Sequence, residues 1–186
     1  NHFQSSFANT YSAIGMNVFS PDWDAMIRKL LEISFSGFDG DYKKFERYLS
    51  AQLARAILES IEAWYDKHGH PTIEEKTARL TLIDSIVHTL CKIGPYLFWK
   101  HFNNPSGNYL TALINTQLGA LLMRLAWQAL AKSSGNNPSM QYFRMFVGEK
   151  YYGDDNIISV NPKVQSWFNA LTIGDFFKEH VIVYTL

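Results

Sequence analysis

The sequence predicts an α+β fold, a split βαβ arrangement in which an antiparallel sheet is backed by helices. Three observations carry the prediction. Tyr152-Gly153-Asp154-Asp155 sits between two short apolar, β-prone runs, 146–151 and 156–160, the pattern of a hairpin with a tight acidic turn. The longest apolar stretch, 112–130, is broken by Asn115, Thr116, Gln117 and Arg124, so it reads as a buried helix and not a membrane span. The periodic segments follow the order strand, helix, helix, hairpin, helix, strand.

The 186 residues suit one domain, or one domain with part of a neighbour, and 47% hydrophobic content is enough to bury a core. Formal net charge is zero, which neither supports nor excludes a nucleic-acid partner. Cys91 is the single cysteine, so an internal disulfide is ruled out; the residue fits a reducing compartment and, within an apolar run, reads as buried and inert. No signal peptide is recognisable, and a chain that begins at Asn1 and ends at Leu186 inside an apolar run is expected to be a piece of something longer.

Taken in order, residues 1–19 show no strong period and read as extended. Ser20-Pro21-Asp22 opens a helix, with Ser20 as cap and Pro21 at the first helical position, and Trp23, Ile27, Leu30 and Leu31 fall on one face. The alternating segment 33–38 predicts a strand with Asp39 at its exit. A long amphipathic helix over about 42–66 follows, its buried stripe Phe45, Leu49, Leu53, Ala56, Ile57, Ile61 and Trp64, and His68-Gly69-His70-Pro71 ends it. Those histidines lack paired ligands at zinc spacing and read as a solvated turn. Thr72 and Glu75 form a capping box for a helix bearing Leu80, Ile83, Val87 and Leu90, which Gly94-Pro95 is expected to stop. Residues 96–102 are aromatic and β-prone, leading into an Asn103-Asn104-Pro105 turn. After the long apolar helix, Ser133 to Pro138 is a polar loop, 140–147 a short helix, and the acidic hairpin follows. Asn161-Pro162 restarts a helix carrying Val164, Trp167 and Phe168, Thr172 to Asp175 restarts another, and 181–185 is a last strand.

The chemistry concentrates at the hairpin. Adjacent carboxylates repel unless a cation sits between them, and hard oxygen ligands favour Mg²⁺ or Mn²⁺. On the tetrapeptide alone, a solvated surface turn satisfies the pattern equally well.

Context adds to it. Phe35-Ser36-Gly37-Phe38-Asp39-Gly40, then Ser106-Gly107-Asn108-Tyr109-Leu110-Thr111-Ala112-Leu113-Ile114-Asn115, then the Gly-Asp-Asp hairpin stand in an order that resembles motifs A, B and C of the RNA-directed RNA polymerases of positive-strand RNA viruses. The wording is most similar to the picorna-like viruses of insects, the dicistrovirus and iflavirus group, and Gly15 to Trp23 resembles the approach to motif A. The resemblance implies a polymerase palm with part of the fingers. Residues 1–66 would be the fingers-to-palm approach and motif A, 67–104 a fingers-side segment, and 105–186 the palm with motifs B, C and D.

It also implies roles. Asp154 and Asp155 match the motif C aspartates that hold two divalent ions, Mg²⁺ or Mn²⁺, for nucleotidyl transfer. Motif A has an aspartate, four residues, then a second aspartate; Asp39 matches the second, but Ser34 stands at the first, a departure that removes a bridging carboxylate and is expected to weaken catalysis severely. Glu32 is the nearest acid that would replace it if both lay on one strand face. Asp39 and Asn115 would read the ribose 2′-hydroxyl, with Thr111 four residues before Asn115 on the same helical face and Ser106-Gly107 as a flexible entry loop. Without the resemblance, Ser106, Thr111 and Asn115 read as residues that cap and line a buried helix. Lys178 occupies the place of the motif D general acid, and a solvated helix lysine fits the same position. The family tends to glycine at Val181 and an acid at Leu186. Motif F, motif E and a thumb are not recognisable.

The partners implied are an RNA template and primer, ribonucleoside triphosphates and other products of a viral polyprotein, at replication complexes in the host cytoplasm. Two other readings stay open: a degenerate polymerase-like RNA-binding scaffold, for which Ser34 speaks, and a reverse transcriptase, against which Asp39 and the Ser106 to Asn115 motif argue.

Overall fold

A computed structural model of the chain describes residues 10–48, 50–101 and 109–185. Its elements, in order, are α1 (Pro21–Ile33), β1 (Gly37–Tyr42), a single 3₁₀ turn (Phe45–Arg47), α2 (Ala51–His68), α3 (Ile73–Val87), β2 (Thr89–Ile93), β3 (Tyr96–Lys100), α4 (Thr111–Ser133), α5 (Met140–Phe146), β4 (Val147–Tyr152), β5 (Asp155–Val160), α6 (Ala170–Glu179) and β6 (Tyr184–Thr185). They form two compact units, Asn1–Lys44 with Asn115–Leu186, and Phe45–Ile114. The α+β expectation holds, with helices beside wholly antiparallel strands.

In the first unit the strand order is β4-β5-β1-β6. The outer edge of β4 is covered by residues 11–13, where Tyr151 N–H donates to Tyr11 O and Ala13 N–H to Tyr151 O, both at 2.8 Å. Pairing at Tyr151 takes up that residue's outward backbone groups at the hairpin end of the edge strand. Ser20 caps α1, accepting from Asp22 N–H at 3.2 Å, as its sequence predicts. The buried face, however, is Met26 and Leu30, while Trp23 and Leu31 are exposed. Leu30 and Ile33 reach Gly148 of β4, so closely that a Cβ there would crowd them at 3.2–3.3 Å.

The strand expected over 33–38 lies four residues further on. Helix-favouring Leu30, Leu31 and Glu32 keep the chain helical to Ile33, and Ser34 closes the helix by donating its N–H to Leu30 O at 3.2 Å. Pairing begins only where β5 offers partners, Gly37 opposite Ser159 and Gly40 opposite Asn156. Asp39 is therefore inside β1 and not at its exit, and Glu32 is helical.

Helix α4 contributes Leu118, Ala120, Leu122, Met123, Ala126, Trp127 and Ala131 to the core. Trp127 is fully buried against Phe143, Trp167 and Phe168, with ring centroids 5.5, 4.7 and 5.0 Å away. Such aromatic pairs contribute about 0.5–1.5 kcal/mol each beyond the area they bury. The helix expected from Asn161-Pro162 is a run of turns. Side-chain amides take the backbone groups a helix would need: Asn161 accepts from Lys163 N–H, Gln165 donates to Val160 O and Asn169 to Gln165 O. Val164 and Phe168 are nevertheless buried, as the pattern required.

Asn169 and Thr172 form a reciprocal cap that starts α6. The helix ends in a reversal where Ile182 N–H donates to Phe177 O at 2.8 Å and Val181 N–H to Lys178 O at 3.0 Å, the paired bonds of a Schellman motif. That motif places Val181 at φ +61°, a region that favours glycine. The reversal leads into β6, where Tyr184 meets Tyr42 and Phe177 at 4.7 and 5.3 Å.

The second unit holds α2, α3 and the β2–β3 hairpin. The long helix expected from residue 42 starts at Ala51, because Tyr42 is in β1 and Ser50 supplies the cap. Its buried residues are Ala54, Ile57, Leu58 and Glu62; Ala56 and Trp64 are exposed, and Leu49 lies outside the described residues. Arg79 reaches Glu62 with two hydrogen bonds, 2.6 and 3.1 Å, which satisfies the buried carboxylate. Thr72 and Glu75 make the predicted capping box at 3.2 and 2.9 Å. Gly94-Pro95 does not stop that helix, which ends at Val87; it forms the turn joining β2 to β3, with Gly94 at φ +57°. Cys91 is half-buried on β2, opposite Phe98. Among the described residues no helix is long and apolar enough to cross a membrane.

The left-handed conformation costs an L-residue about 1–2 kcal/mol, and a β-branched one sits at the upper end. Glycine returns part of that gain through unfolded-state entropy of roughly 0.5–1 kcal/mol. Val181→Gly is expected to stabilise the chain by about 0.5–1 kcal/mol in urea denaturation, and Val181→Ala by less.

Candidate active site

The β4–β5 hairpin closes with Tyr152 paired to Asp155 and a two-residue loop, Gly153-Asp154. Gly153 has φ +64° and Asp154 does not share that sign, as in a type II′ turn, whose first central position asks for glycine. A Cβ at Gly153 would meet nothing within 4 Å, so its requirement is conformational and not steric. The turn is held from α4: Gly153 N–H donates to Thr116 Oγ1 at 2.9 Å, a fully buried hydroxyl.

Immediately after the acids, Asn156 ties three strands together. Its Nδ2 donates to Gly40 O of β1 at 2.9 Å, and its Oδ1 accepts from the Tyr184 hydroxyl of β6 at 2.7 Å. Gly40 cannot be replaced without moving that phenol, since a Cβ would lie 2.0 Å from the Tyr184 oxygen. Asp39 pairs with Ile157 and Gly40 with Asn156, so extending the register by one residue sets Asp41 opposite Asp155. Alternate strand residues share a face, which puts Asp39, Asp41 and Asp155 on the same side of the sheet. All three line one open cavity, with Gly40, Asn156 and Thr185.

The electrostatics follow from this crowding. The Asp155 carboxyl is raised above its ordinary value, first by partial burial and then by the charges of Asp154 and Asp41. Midway along β4, the Glu149 side chain is only 10% exposed and its carboxyl is also raised by desolvation, opposed by its ion pair with Arg124 and a 2.9 Å bond from the Tyr151 hydroxyl. The Arg124 guanidinium stands over the Tyr11 ring at 4.6 Å. Lys150, buried behind the hairpin, has its pKa lowered to about 8, chiefly by desolvation and then by Lys29.

The structure treats the sequence-predicted residues unequally. It brings Asp39 and Asp155 to one cavity, with Asp154 beside them at the tip. Asn115 is buried on α4, next to the residue that grips the turn. Thr111 is the first residue of α4, four before Asn115, and belongs to the second unit. Ser106, Gly107, Leu186 and the Asn103-Asn104-Pro105 turn lie outside the described residues. Lys178 is exposed in the last turn of α6 and does not line the cavity. Ser34 is buried where α1 ends, its hydroxyl accepting from Ser36 N–H at 3.0 Å. It lies beside the far end of β5, where Val160 N–H donates to Ser36 O, roughly 15–20 Å along the strands from the tip.

Asp41, Thr116, Asn156 and Tyr184 were not singled out by the sequence. For Asp41 a signal existed in Asp39-Gly40-Asp41, since acids two apart share a strand face once the strand is placed over them. The donor set is right in kind for a hard divalent cation, being carboxylate oxygens at an open edge. Among the described residues no three His, Cys, Asp or Glu side chains are gathered closely enough to hold a metal ion without rearrangement.

A carboxyl raised in the folded state adds stability at low pH that is lost as pH rises through its folded value. Asp155→Asn is therefore expected to raise the unfolding midpoint of the cation-free chain at neutral pH. The effect is small, under about 1 kcal/mol, because water screens this exposed group. The difference from wild type should shrink as pH falls below 3.8, where the ordinary carboxyl is protonated in both states.

Comparison with known proteins sets this geometry in a family. The profile described as viral RNA-dependent RNA polymerase matches residues 1–178. The chain is 32% identical over 180 residues to the replicase polyprotein of Cricket paralysis virus, covering 93% of this chain and 10% of that one. It is 32% identical over 177 residues to the genome polyprotein of Rice tungro spherical virus, covering 94% of this chain and 5% of the polyprotein. The fold is similar to a Sicinivirus 3Dpol RNA-dependent RNA polymerase, with TM-score 0.70 at 16% identity, over 98% of this chain and 35% of that one. The chain thus spans about a tenth or less of the curated polyproteins it matches.

Proposed function

Because the chain belongs to the viral RNA-dependent RNA polymerase family, we propose that it is the palm of such an enzyme with part of the fingers, and that its acidic sheet edge is where ribonucleotides are joined. The observation that carries this reading is the common cavity of Asp39, Asp41 and Asp155 beside the Gly153-Asp154 turn. Asp154 and Asp155 would hold the divalent cations. Asp41, opposite Asp155, is the third carboxylate in reach, and Ser34 is not. Bound Mg²⁺ or Mn²⁺ would supply Lewis-acid activation of a primer hydroxyl and charge neutralisation at the departing pyrophosphate.

The rest falls to the chain's own groups. Asp39 and Asn115 would orient the ribose of the incoming nucleotide and read its 2′-hydroxyl, the group that separates ribonucleotides from deoxyribonucleotides. Thr111, Ser106 and Gly107 would support that approach. Lys178 would give a proton to the leaving pyrophosphate. The template, the primer, the remaining polyprotein products and a site of action at cytoplasmic replication complexes follow from the same reading. A second reading is a degenerate RNA-binding scaffold, whose acidic edge would hold no cation; Ser34, which suggested it when aligned by motif, caps α1 away from the tip and does not favour it.

A Mn²⁺ titration followed by thermal shift separates the two. The polymerase reading expects saturable stabilisation that Asp154→Asn or Asp41→Asn weakens at least about tenfold in affinity. A scaffold expects none. In the polymerase that contains this segment, Ser34→Asp should leave primer extension unchanged, because the side chain lies far from the tip. Asn115→Ala should raise deoxynucleotide over ribonucleotide incorporation; unchanged discrimination removes the ribose assignment.

A further inference from the structure

The buried Thr116 hydroxyl is hydrogen-bonded to the acidic turn from α4. It adjoins Asn115, the helix position assigned to the ribose, and it accepts from Gly153, the residue whose φ of +64° sets the turn. Strand pairing fixes Tyr152 opposite Asp155 and Asn156 opposite Gly40, but it leaves the two-residue loop between them without ladder bonds of its own. Two hydrogen bonds hold the loop instead: the Gly153 N–H donates to Thr116 Oγ1 at 2.9 Å, and Asn156 Nδ2 donates to the Asp154 carbonyl at a longer 3.4 Å, so Thr116 makes the shorter of the two.

We propose that Thr116 is a positioning residue that orients Asp154 and Asp155 for cation binding by holding the Gly153 amide, and that it fixes the distance between the acids and Asn115 in doing so. This rests on the polymerase reading for what the acids bind. It does not touch the cation itself. A threonine suits the task because its methyl fills the buried site while its oxygen accepts, and an isosteric valine keeps the first property and loses the second. The Gly153 N–H would then be buried without a partner, and the turn would relax towards water or another rotation. The acids would still be present but misaimed, and loss of a supporting partner at a metal site typically lowers affinity about 10- to 100-fold.

The test uses the chain as it stands, with Mn²⁺ as probe and two readouts. In wild type the Gly153 amide should be protected from hydrogen exchange. Thr116→Val should speed that exchange at least about tenfold and weaken Mn²⁺ binding by roughly 10- to 100-fold, while Thr116→Ser, which restores the oxygen, should recover most of both. Unprotected Gly153 in wild type overturns the proposal even if the valine variant fails to fold. Equal Mn²⁺ affinity in wild type and Thr116→Val overturns it as well. Should wild type take up no Mn²⁺, the polymerase reading and the positioning role fall together; a wild type that binds while serine and valine behave alike sinks the positioning role alone.

Discussion

Carboxylates gathered at one sheet edge repel one another, so the turn that carries them has to be held by contacts that owe nothing to those charges. Here the holding is done by neutral hydrogen bonds and by packing. Thr116 takes the Gly153 amide, Asn156 spans β1 and β6, and Tyr184 closes over Gly40. Behind them, α4 is anchored through Trp127 in a box of Phe143, Trp167 and Phe168. Two charged residues of β4 that are largely removed from water, Glu149 and Lys150, each have a partner: Glu149 with Arg124 and Tyr151, Lys150 with the Thr10 carbonyl. Burial of a paired charge costs far less than burial of a lone one, which lets β4 run through the core and still deliver an acidic turn at its end.

Local signals were legible wherever the interaction is local. The Ser20 cap, the Thr72 and Glu75 box, the Gly153 turn and the buried α4 could each be read from a few adjacent residues. What failed was placement that depends on a distant partner. The segment 33–38 alternates like a strand, but its first two residues are drawn into α1 and its closing cap, and β1 takes its bounds from β5. The run after Pro162 has helical spacing in its apolar residues and is not helical, because three side-chain amides compete for its backbone. Apolar spacing reports which residues are buried more dependably than which hydrogen bonds they make.

The site was legible to a similar depth. Asp154 and Asp155 announced themselves as an acid pair at a turn, and Asp39 as an acid beside a strand. Asp41 did not, because a strand ending at residue 38 leaves it in a loop; moving the strand by four residues turns it into a partner of Asp155. A strand has a side-chain period of two, so register decides which acids face the cavity. The same shift separates Ser34 from the hairpin. Its loss of charge, read as a catalytic defect when aligned by motif, falls in this fold at a helix end that needs a small polar cap, and serine is well suited to that.

The reversal after α6 links stability to the site. Val181 is held at a left-handed φ by two backbone hydrogen bonds, and the same bonds aim the chain into β6. From β6 come the Tyr184 hydroxyl that fixes Asn156 and the Thr185 that lines the cavity. A two-residue strand has little pairing of its own, so its position is set by the turn before it and by the Tyr42–Phe177–Tyr184 cluster beneath. Strain at Val181 is therefore borne by the aromatic cluster. Were that cluster loosened, the reversal would relax first, Tyr184 would leave Asn156, and the wall of the cavity nearest Asp41 would open without any change in the acids themselves.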